Sequence, residues 1–144
     1  MLAYATALVI GLLAGAMLFI GVELVPFWQG LPPAEFRAWF ALHSGRIGAL
    51  MFPLGIASVV ASLAALIRDR SGPNRLSYLV AFAGALAVAI VTVAINEPAN
   101  LRFAAPVGLS DADTIALLAR WKVWHWIRVM FGLIAFAASL KALR

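Results

Sequence analysis

The sequence has no cysteine, and charged residues make up only 12% of its 144 residues. The lack of cysteine excludes disulfides, zinc ribbons and iron–sulfur clusters, so that any metal would need His, Asp, Glu, Asn or backbone oxygen ligands. Low-complexity and charge-rich segments are also missing, which excludes a nucleic-acid-binding arm. The remainder is rich in apolar residues, at 65% with a mean hydropathy of +1.00, whereas a soluble domain has about 45–50%. Lipid is therefore the predicted solvent for most of the chain.

Three stretches without charge are long enough to cross a bilayer, since about 20 apolar residues suffice. They cover residues 2–22, 47–67 and 76–95. A fourth span is predicted at about residues 121–143, which places His125 and Arg128 within or at the edge of the membrane. The pattern predicts a single domain, residues 1–144, folded as an all-α integral membrane four-helix bundle. Pro33 and the Ser110–Asp113 capping box predict that helices two and four start well outside their spans, on the outer side.

The distribution of basic residues predicts the orientation. Three arginines lie in the loop between spans two and three, and Lys141 and Arg144 fall on the same side. By the positive-inside rule this side is cytoplasmic, together with both termini, as in a bacterial inner membrane protein. The formal charge of +5 then reflects contact with membrane lipid, and no nucleic-acid partner is expected. The sequence leaves the oligomeric state open, a homo-oligomer included.

The polar residues of the spans form two sets in the same order. The first set is Glu23 followed by His43-x-x-Arg46, and the second is Asn96-Glu97-Pro98 followed by His125-x-x-Arg128. Each set belongs to one helical hairpin, which indicates an internal repeat related by a pseudo-two-fold axis along the membrane normal. Odd spans end and even spans begin at the same face, so the polar side chains can converge near the outer boundary. Ionisable residues at this depth indicate a functional site by default.

The second hairpin carries motifs that resemble a known family. Asn96-Glu97-Pro98-Ala99-Asn100-Leu101 resembles an Asn-x-Pro-x-Asn signature, and Trp121, Trp124, His125 and Arg128 resemble a tryptophan-rich start of the fourth span. Both are found in the small four-span membrane proteins that include the anthrone oxygenases, most of which have no assigned role. The resemblance implies oxygen-dependent oxidation of an activated aromatic methylene to a ketone, without an established cofactor.

This activity suggests a role for each polar residue. His43 or His125 would be the base, Arg46 and Arg128 would stabilise an enolate or phenolate, and Asn96 and Asn100 would orient a lipophilic substrate. Trp121 and Trp124 would stack on the substrate ring.

Two other readings stay open. His43 and His125 could ligate a metal or a b-type haem, and with Glu23 they could form the facial triad of a non-haem iron site, or bind copper. Alternatively, the chain could be a non-enzymatic scaffold or transport subunit whose polar residues form a structural ion-pair network.

Overall fold

The computed structural model describes residues 1–105 and 108–144. Over these residues it contains four long helices: α1 (Leu2–Gly30), α2 (Pro33–Arg68), α3 (Arg75–Ala104) and α4 (Asp111–Lys141). Each is long and apolar enough to span a membrane, and the described ranges contain no strand. The predicted all-α, four-span architecture is confirmed.

The odd-numbered helices change their winding near the end of the bundle that holds the α1–α2 and α3–α4 connections, which the sequence predicts to be the outer end. In α1 the α-helix Leu2–Phe19 passes into a π-helical segment, Ile20–Leu24, and resumes as Val25–Gly30. In α3 the π-helical segment is Thr92–Asn96, and the α-helix resumes as Glu97–Ala104. A proline, Pro26 or Pro98, lies in the first turn of each resumed part, where its missing N–H is tolerated. The odd helices therefore continue past the prolines, beyond the span ends at residues 22 and 95 that the uncharged runs indicate.

The even-numbered helices begin at Pro33 and Asp111, well before their uncharged spans, as predicted. At the start of α4 the Asp113 N–H donates to the Ser110 hydroxyl (3.1 Å), and this hydroxyl donates to the Asp113 carboxylate (2.7 Å). The predicted capping box is thus formed. Arg37 of α2 donates to the Asp111 carboxylate (3.0 Å) and to the Thr114 hydroxyl (2.6 Å). These bonds tie the first turns of α2 and α4 together.

The core changes character along the bundle axis. Its outer part is a cluster of large side chains that includes Trp28, Phe36, Phe40, Phe103 and Trp121. Farther in, the core narrows to small residues packed against aliphatic ones, as in the cluster of Ile10, Ala81 and Ala135. Large aromatic side chains hold helices apart, whereas alanine and glycine let backbones approach. The bundle is accordingly tight in its inner half.

Gly84 lies at a close contact between α3 and α4. A methyl group at this position would lie 2.9 Å from the Phe131 carbonyl oxygen and 2.9 Å from the Ala135 Cβ. Neither atom belongs to a flexible side chain, so the two helices would have to separate. Gly15 of α1, by contrast, has no heavy atom within 4 Å of the same added group.

We predict that Gly84→Ala lowers the free energy of unfolding by about 1–3 kcal/mol, the usual result of overpacking a dense core. Reversible unfolding in detergent, followed by the helical circular dichroism signal, measures it. Gly15→Ala is the matched control and should unfold like the parent protein. Equal stability of the two variants would contradict the close α3–α4 contact.

Candidate functional site

A buried histidine–arginine pair lies at the outer end of the bundle, on α4. His125 is fully buried and Arg128, one turn farther into the membrane, is 7% exposed. The Nδ1 atom of His125 lies 2.7 Å from the Arg128 Nη2, and its Nε2 lies 2.9 Å from the Met17 carbonyl oxygen of α1. A guanidinium can only donate and a carbonyl can only accept. His125 is therefore neutral, with its proton on Nε2 and its Nδ1 lone pair directed to Arg128.

Arg128 has further partners on α3 and α4. Its Nη1 donates to the Thr92 hydroxyl (3.0 Å), which in turn donates to the Val88 carbonyl oxygen (2.7 Å). The guanidinium carbon lies 5.6 Å from the Trp121 ring centroid, within the range of a cation–π contact. Its Nε is buried without a hydrogen-bond partner. The guanidinium is thus held on three sides, while its Nε–H has no partner.

Trp121 connects this pair to the polar residues of α3. Its ring stacks on the His125 ring, with centroids 4.8 Å apart and an interplanar angle of 7°. The indole N–H donates to the Asn100 side-chain oxygen (2.8 Å), and the Asn100 amide donates to the Glu97 carboxylate (3.0 Å). Fully buried Asn96 lies behind this row and donates to the Trp121 carbonyl oxygen (3.4 Å). Asn100 thus binds the indole of Trp121, and Asn96 binds the backbone carbonyl of the same residue.

A cavity of about 620 Å³ lies between α2 and α3, within the size range of small-molecule sites. Arg128 and Trp121 of α4 contribute to its wall, together with Thr92, Glu97 and Asn100 of α3. Most other lining side chains are apolar. The wall formed by α2 contains the small residues Ser44, Gly45, Gly48, Ala49 and Gly55, which leave the space open.

The mouth of the cavity is apolar. Several lining residues are also exposed on the outside of the bundle, and all of them are small or hydrophobic: Gly45, Ala49, Phe52, Pro53, Ile56, Val93 and Leu101. These residues belong to helices that can span a membrane. The opening between α2 and α3 therefore faces the hydrocarbon region sideways.

One comparison with known proteins gave a match. A family model described as anthrone oxygenase matches residues 36–138, which is more than two thirds of the chain. The chain belongs to the anthrone oxygenase family. No curated protein and no solved structure matches it significantly. The polar wall of the cavity, from Thr92 to Arg128, falls within the part that matches this family.

The first-hairpin residues predicted for an anthrone oxygenase site do not reach the cavity. His43 is half-buried, stacks on Trp39 (4.5 Å between centroids) and contacts the Trp39 carbonyl oxygen through Nδ1 (2.7 Å). Arg46 and Glu23 are exposed, and none of the three lines the cavity. Trp124, on α4, is half-buried and also lies outside the lining. Of the predicted residues, Arg128, Asn100 and Trp121 line the cavity, and His125 and Asn96 are hydrogen-bonded to Arg128 and Trp121 without lining it.

The two hairpins nevertheless share local geometry. Both odd helices contain a five-residue π-helical segment followed by proline as its second succeeding residue. Both even helices carry Trp-x-x-x-His-x-x-Arg, and in both the tryptophan stacks on the histidine. These matches support the predicted internal repeat. The two copies differ in what surrounds the histidine.

A glycine accounts for that difference. Gly21 is the second residue of the π-helical segment in α1, and a methyl group there would lie 3.3 Å from the His125 Nε2. The corresponding residue of α3 is Val93, whose side chain is 67% exposed at the cavity mouth. The glycine lets α4 dock its histidine against α1. At the corresponding position of α3, the valine side chain is instead exposed at the mouth of the cavity between α2 and α3.

The predicted metal and haem sites are not formed. Within residues 1–105 and 108–144, no three His, Asp or Glu side chains come close enough to bind a metal together. The predicted triad of His43, His125 and Glu23 is therefore corrected, because only His125 is directed into the bundle. A haem between the two histidines does not fit either, since Trp39, Trp28 and Trp121 form a continuous series of ring contacts from His43 to His125.

Sequence reasoning missed three groups that line the cavity. The sequence pattern assigns no site role to Thr92, Trp28 or Glu97, although all three line the cavity. The available signal for Glu97 is its spacing from Asn100, because residues three apart share a helix face. Thr92 had no signal of its own, since a threonine in an apolar helix commonly bonds its own backbone, as this one also does.

We predict that His125→Phe lowers the free energy of unfolding by about 1.5–3 kcal/mol, because a hydrogen bond to a buried charged group is lost. His43→Phe removes the same side chain from a half-buried position with one bond to its own helix, and should change stability much less. Unfolding of both variants in the same detergent measures the difference. An equal loss of stability in His43→Phe would contradict the structural difference between the two histidines.

Proposed function

We propose that this protein is a membrane-embedded oxygenase that converts an activated methylene of a lipophilic aromatic molecule into a ketone. The observation that carries the proposal is the buried Arg128 guanidinium, with its unused Nε, in the wall of an apolar cavity that also contains the Glu97 carboxylate. A fixed positive charge in a site shielded from water stabilises a developing oxyanion strongly. Membership of the anthrone oxygenase family supports this reaction class.

The reaction balances with dioxygen as the only oxidant. A base removes a proton from the methylene, and the remaining electron pair is delocalised onto the ring oxygen as an enolate or phenolate. The carbon then forms a bond to dioxygen and, after protonation, a hydroperoxide results. Loss of the second methylene proton and cleavage of the O–O bond release water and leave the ketone. The net change is CH2 plus O2 to C=O plus H2O.

We assign the base role to Glu97. Asn100 donates to one carboxylate oxygen of Glu97 (3.0 Å), which fixes the group in the cavity wall. His125, a base candidate from the sequence, uses its lone pair to accept from Arg128 (2.7 Å). We therefore propose that His125 positions Arg128, and that Arg128 stabilises the oxyanion. Trp121 and Asn100 contact the substrate ring from the same wall.

The apolar mouth supports a substrate that arrives from the membrane. Anthrone-like molecules partition into lipid, and the opening between α2 and α3 is lined on the outside by small and hydrophobic residues such as Ala49 and Val93. We propose that the partners of this protein are membrane lipid and a lipophilic aromatic molecule.

The positive-inside rule supports an orientation with both termini in the cytoplasm of a bacterial cell, as expected for an inner membrane protein. The α2–α3 loop carries Arg70, and Arg68 and Arg75 flank it at the ends of the two helices. The site then lies toward the outer face, since it is near the α1–α2 and α3–α4 connections.

We predict that Glu97→Gln lowers the turnover of anthrone by about 10²–10⁴-fold, as expected for loss of a general base. Arg128→Gln should lower it by about 10²–10³-fold through loss of oxyanion stabilisation. Oxygen uptake and quinone formation in nanodiscs, corrected for autoxidation without protein, measure both.

The controls for these variants are Glu23→Gln and Arg46→Gln, which make the same changes at exposed positions outside the cavity. Both should retain full turnover. Inactive controls, or full activity of Glu97→Gln and Arg128→Gln after normal insertion, would argue against the proposed site.

The orientation can be tested because the chain has no cysteine. We predict that a membrane-impermeant maleimide labels Ala112→Cys, at the exposed start of α4, in intact cells. Ser71→Cys, exposed in the α2–α3 loop, should be labelled only after the cells are opened. The reverse labelling pattern would show that the topology is opposite to the one proposed.

A further inference from the structure

The wall of the cavity formed by α2 contains a backbone irregularity. Pro53 lies inside α2, which continues as one helix from Pro33 to Arg68. Proline has no N–H, so the carbonyl of the residue four positions earlier, Ala49, loses its helical donor. Ala49 and Pro53 both line the cavity. Because a helical carbonyl points along the axis toward the residue four positions on, the Ala49 oxygen is directed along the cavity wall.

An unsatisfied carbonyl in the hydrocarbon region is unfavourable, and membrane helices satisfy such groups with neighbouring side chains, water or a bound molecule. Ser44 is the only α2 residue lining the cavity that has a polar side chain. It precedes Ala49 by more than one turn. The Ala49 carbonyl is thus an acceptor in an otherwise apolar stretch of wall.

Besides the acceptors of Glu97 and Asn100 on α3, two unpaired donors belong to residues that line the cavity. The indole N–H of Trp28 is buried without an acceptor, as is the Arg128 Nε, and both residues line the cavity. These two donors belong to α1 and α4, whereas the freed carbonyl belongs to α2. A molecule that satisfies all three needs an acceptor oxygen on one side and a hydroxyl or amine donor on another.

We infer that the Ala49 carbonyl, freed by Pro53, accepts a hydrogen bond from a hydroxyl of the aromatic ligand, and so selects hydroxylated ligands over those without a donor. The inference rests on the cavity of the proposed function and specifies its substrate class. Pro53 then determines specificity because it has no N–H to donate to the Ala49 carbonyl. The ligand carbonyl or oxyanion lies at Arg128 and Trp28, and the ligand hydroxyl lies at α2.

A pair of stable quinones tests this without turnover. 2-(Hydroxymethyl)anthraquinone and 2-methylanthraquinone differ by one hydroxyl, which stays neutral at any working pH. Trp28 and Trp121 line the cavity, so quenching of tryptophan fluorescence in nanodiscs reports binding. The measured quantity is the ratio of the two dissociation constants in the parent protein and in Pro53→Ala. Comparing this ratio between the two proteins cancels the effect of the two ligands' different partitioning into lipid.

In the parent protein we expect the hydroxymethyl compound to bind more tightly by roughly 3- to 10-fold after correction for partitioning, the range for one neutral hydrogen bond. In Pro53→Ala the new N–H donates to Ala49, and the preference should disappear while 2-methylanthraquinone still binds. Pro33→Ala is the matched control, since Pro33 is the first residue of α2, where an N–H has no helical acceptor. It should keep the preference.

Each outcome has a defined meaning. A preference that survives in Pro53→Ala, or an equal weakening of both ligands, overturns the role of the Ala49 carbonyl and leaves the proposed function standing. Failure of both quinones to bind the parent protein overturns the proposed function and this inference together. Helix content and elution volume of the variants are compared with those of the parent protein, so that unfolding is recognised separately.

Discussion

The hydrogen bond between His125 and Arg128 is the constraint on which the outer half of the bundle depends. A guanidinium in a membrane needs partners for its donors, because no bulk water is available there. Here the neutral histidine supplies one acceptor and the Thr92 hydroxyl another, at 2.7 and 3.0 Å. His125 can accept in this way only because its other nitrogen donates to the Met17 carbonyl of α1. A single series of bonds therefore crosses from α1 through α4 to α3 and fixes the charge.

The same series explains why the cavity lies where it does. Gly21 allows α4 to press its histidine against α1, and this closes one side of the bundle. On the other side Val93 takes the corresponding position, His43 faces outward, and α2 presents glycine and alanine to the space that is left. Two hairpins with the same sequence pattern thus form one close helix contact, between α1 and α4, and one cavity, between α2 and α3. The proposed site needs both, since the contact between α4 and α1 fixes the Arg128 guanidinium in the wall of the cavity.

The sequence was sufficient to predict the features that depend on local pattern. Span number, the cap of α4 at Ser110 and the position of His125 and Arg128 within the fourth span follow from hydropathy and capping chemistry. It could not separate His43 from His125, because both occur in Trp-x-x-x-His-x-x-Arg and face different surroundings only after the helices pack. The π-helical segments were also not predictable, since Pro26 and Pro98 resemble helix ends. Neither the predicted metal triad nor the predicted site shared by both histidines is formed, and the reason is the same. Spacing within a helix determines which residues share a face, but packing determines what that face contacts.

For the proposed oxygenase, the lateral opening of the cavity affects how enzyme kinetics are to be understood. A substrate that approaches through the gap beside Ala49 and Val93 is drawn from a two-dimensional reservoir, whose composition is set by partitioning and by the amount of amphiphile present. Adding more detergent or lipid dilutes that reservoir although the total amount of substrate is unchanged. An apparent KM expressed per litre of buffer would then vary from one preparation to another, whereas one expressed as a mole fraction in the membrane would be a property of the protein.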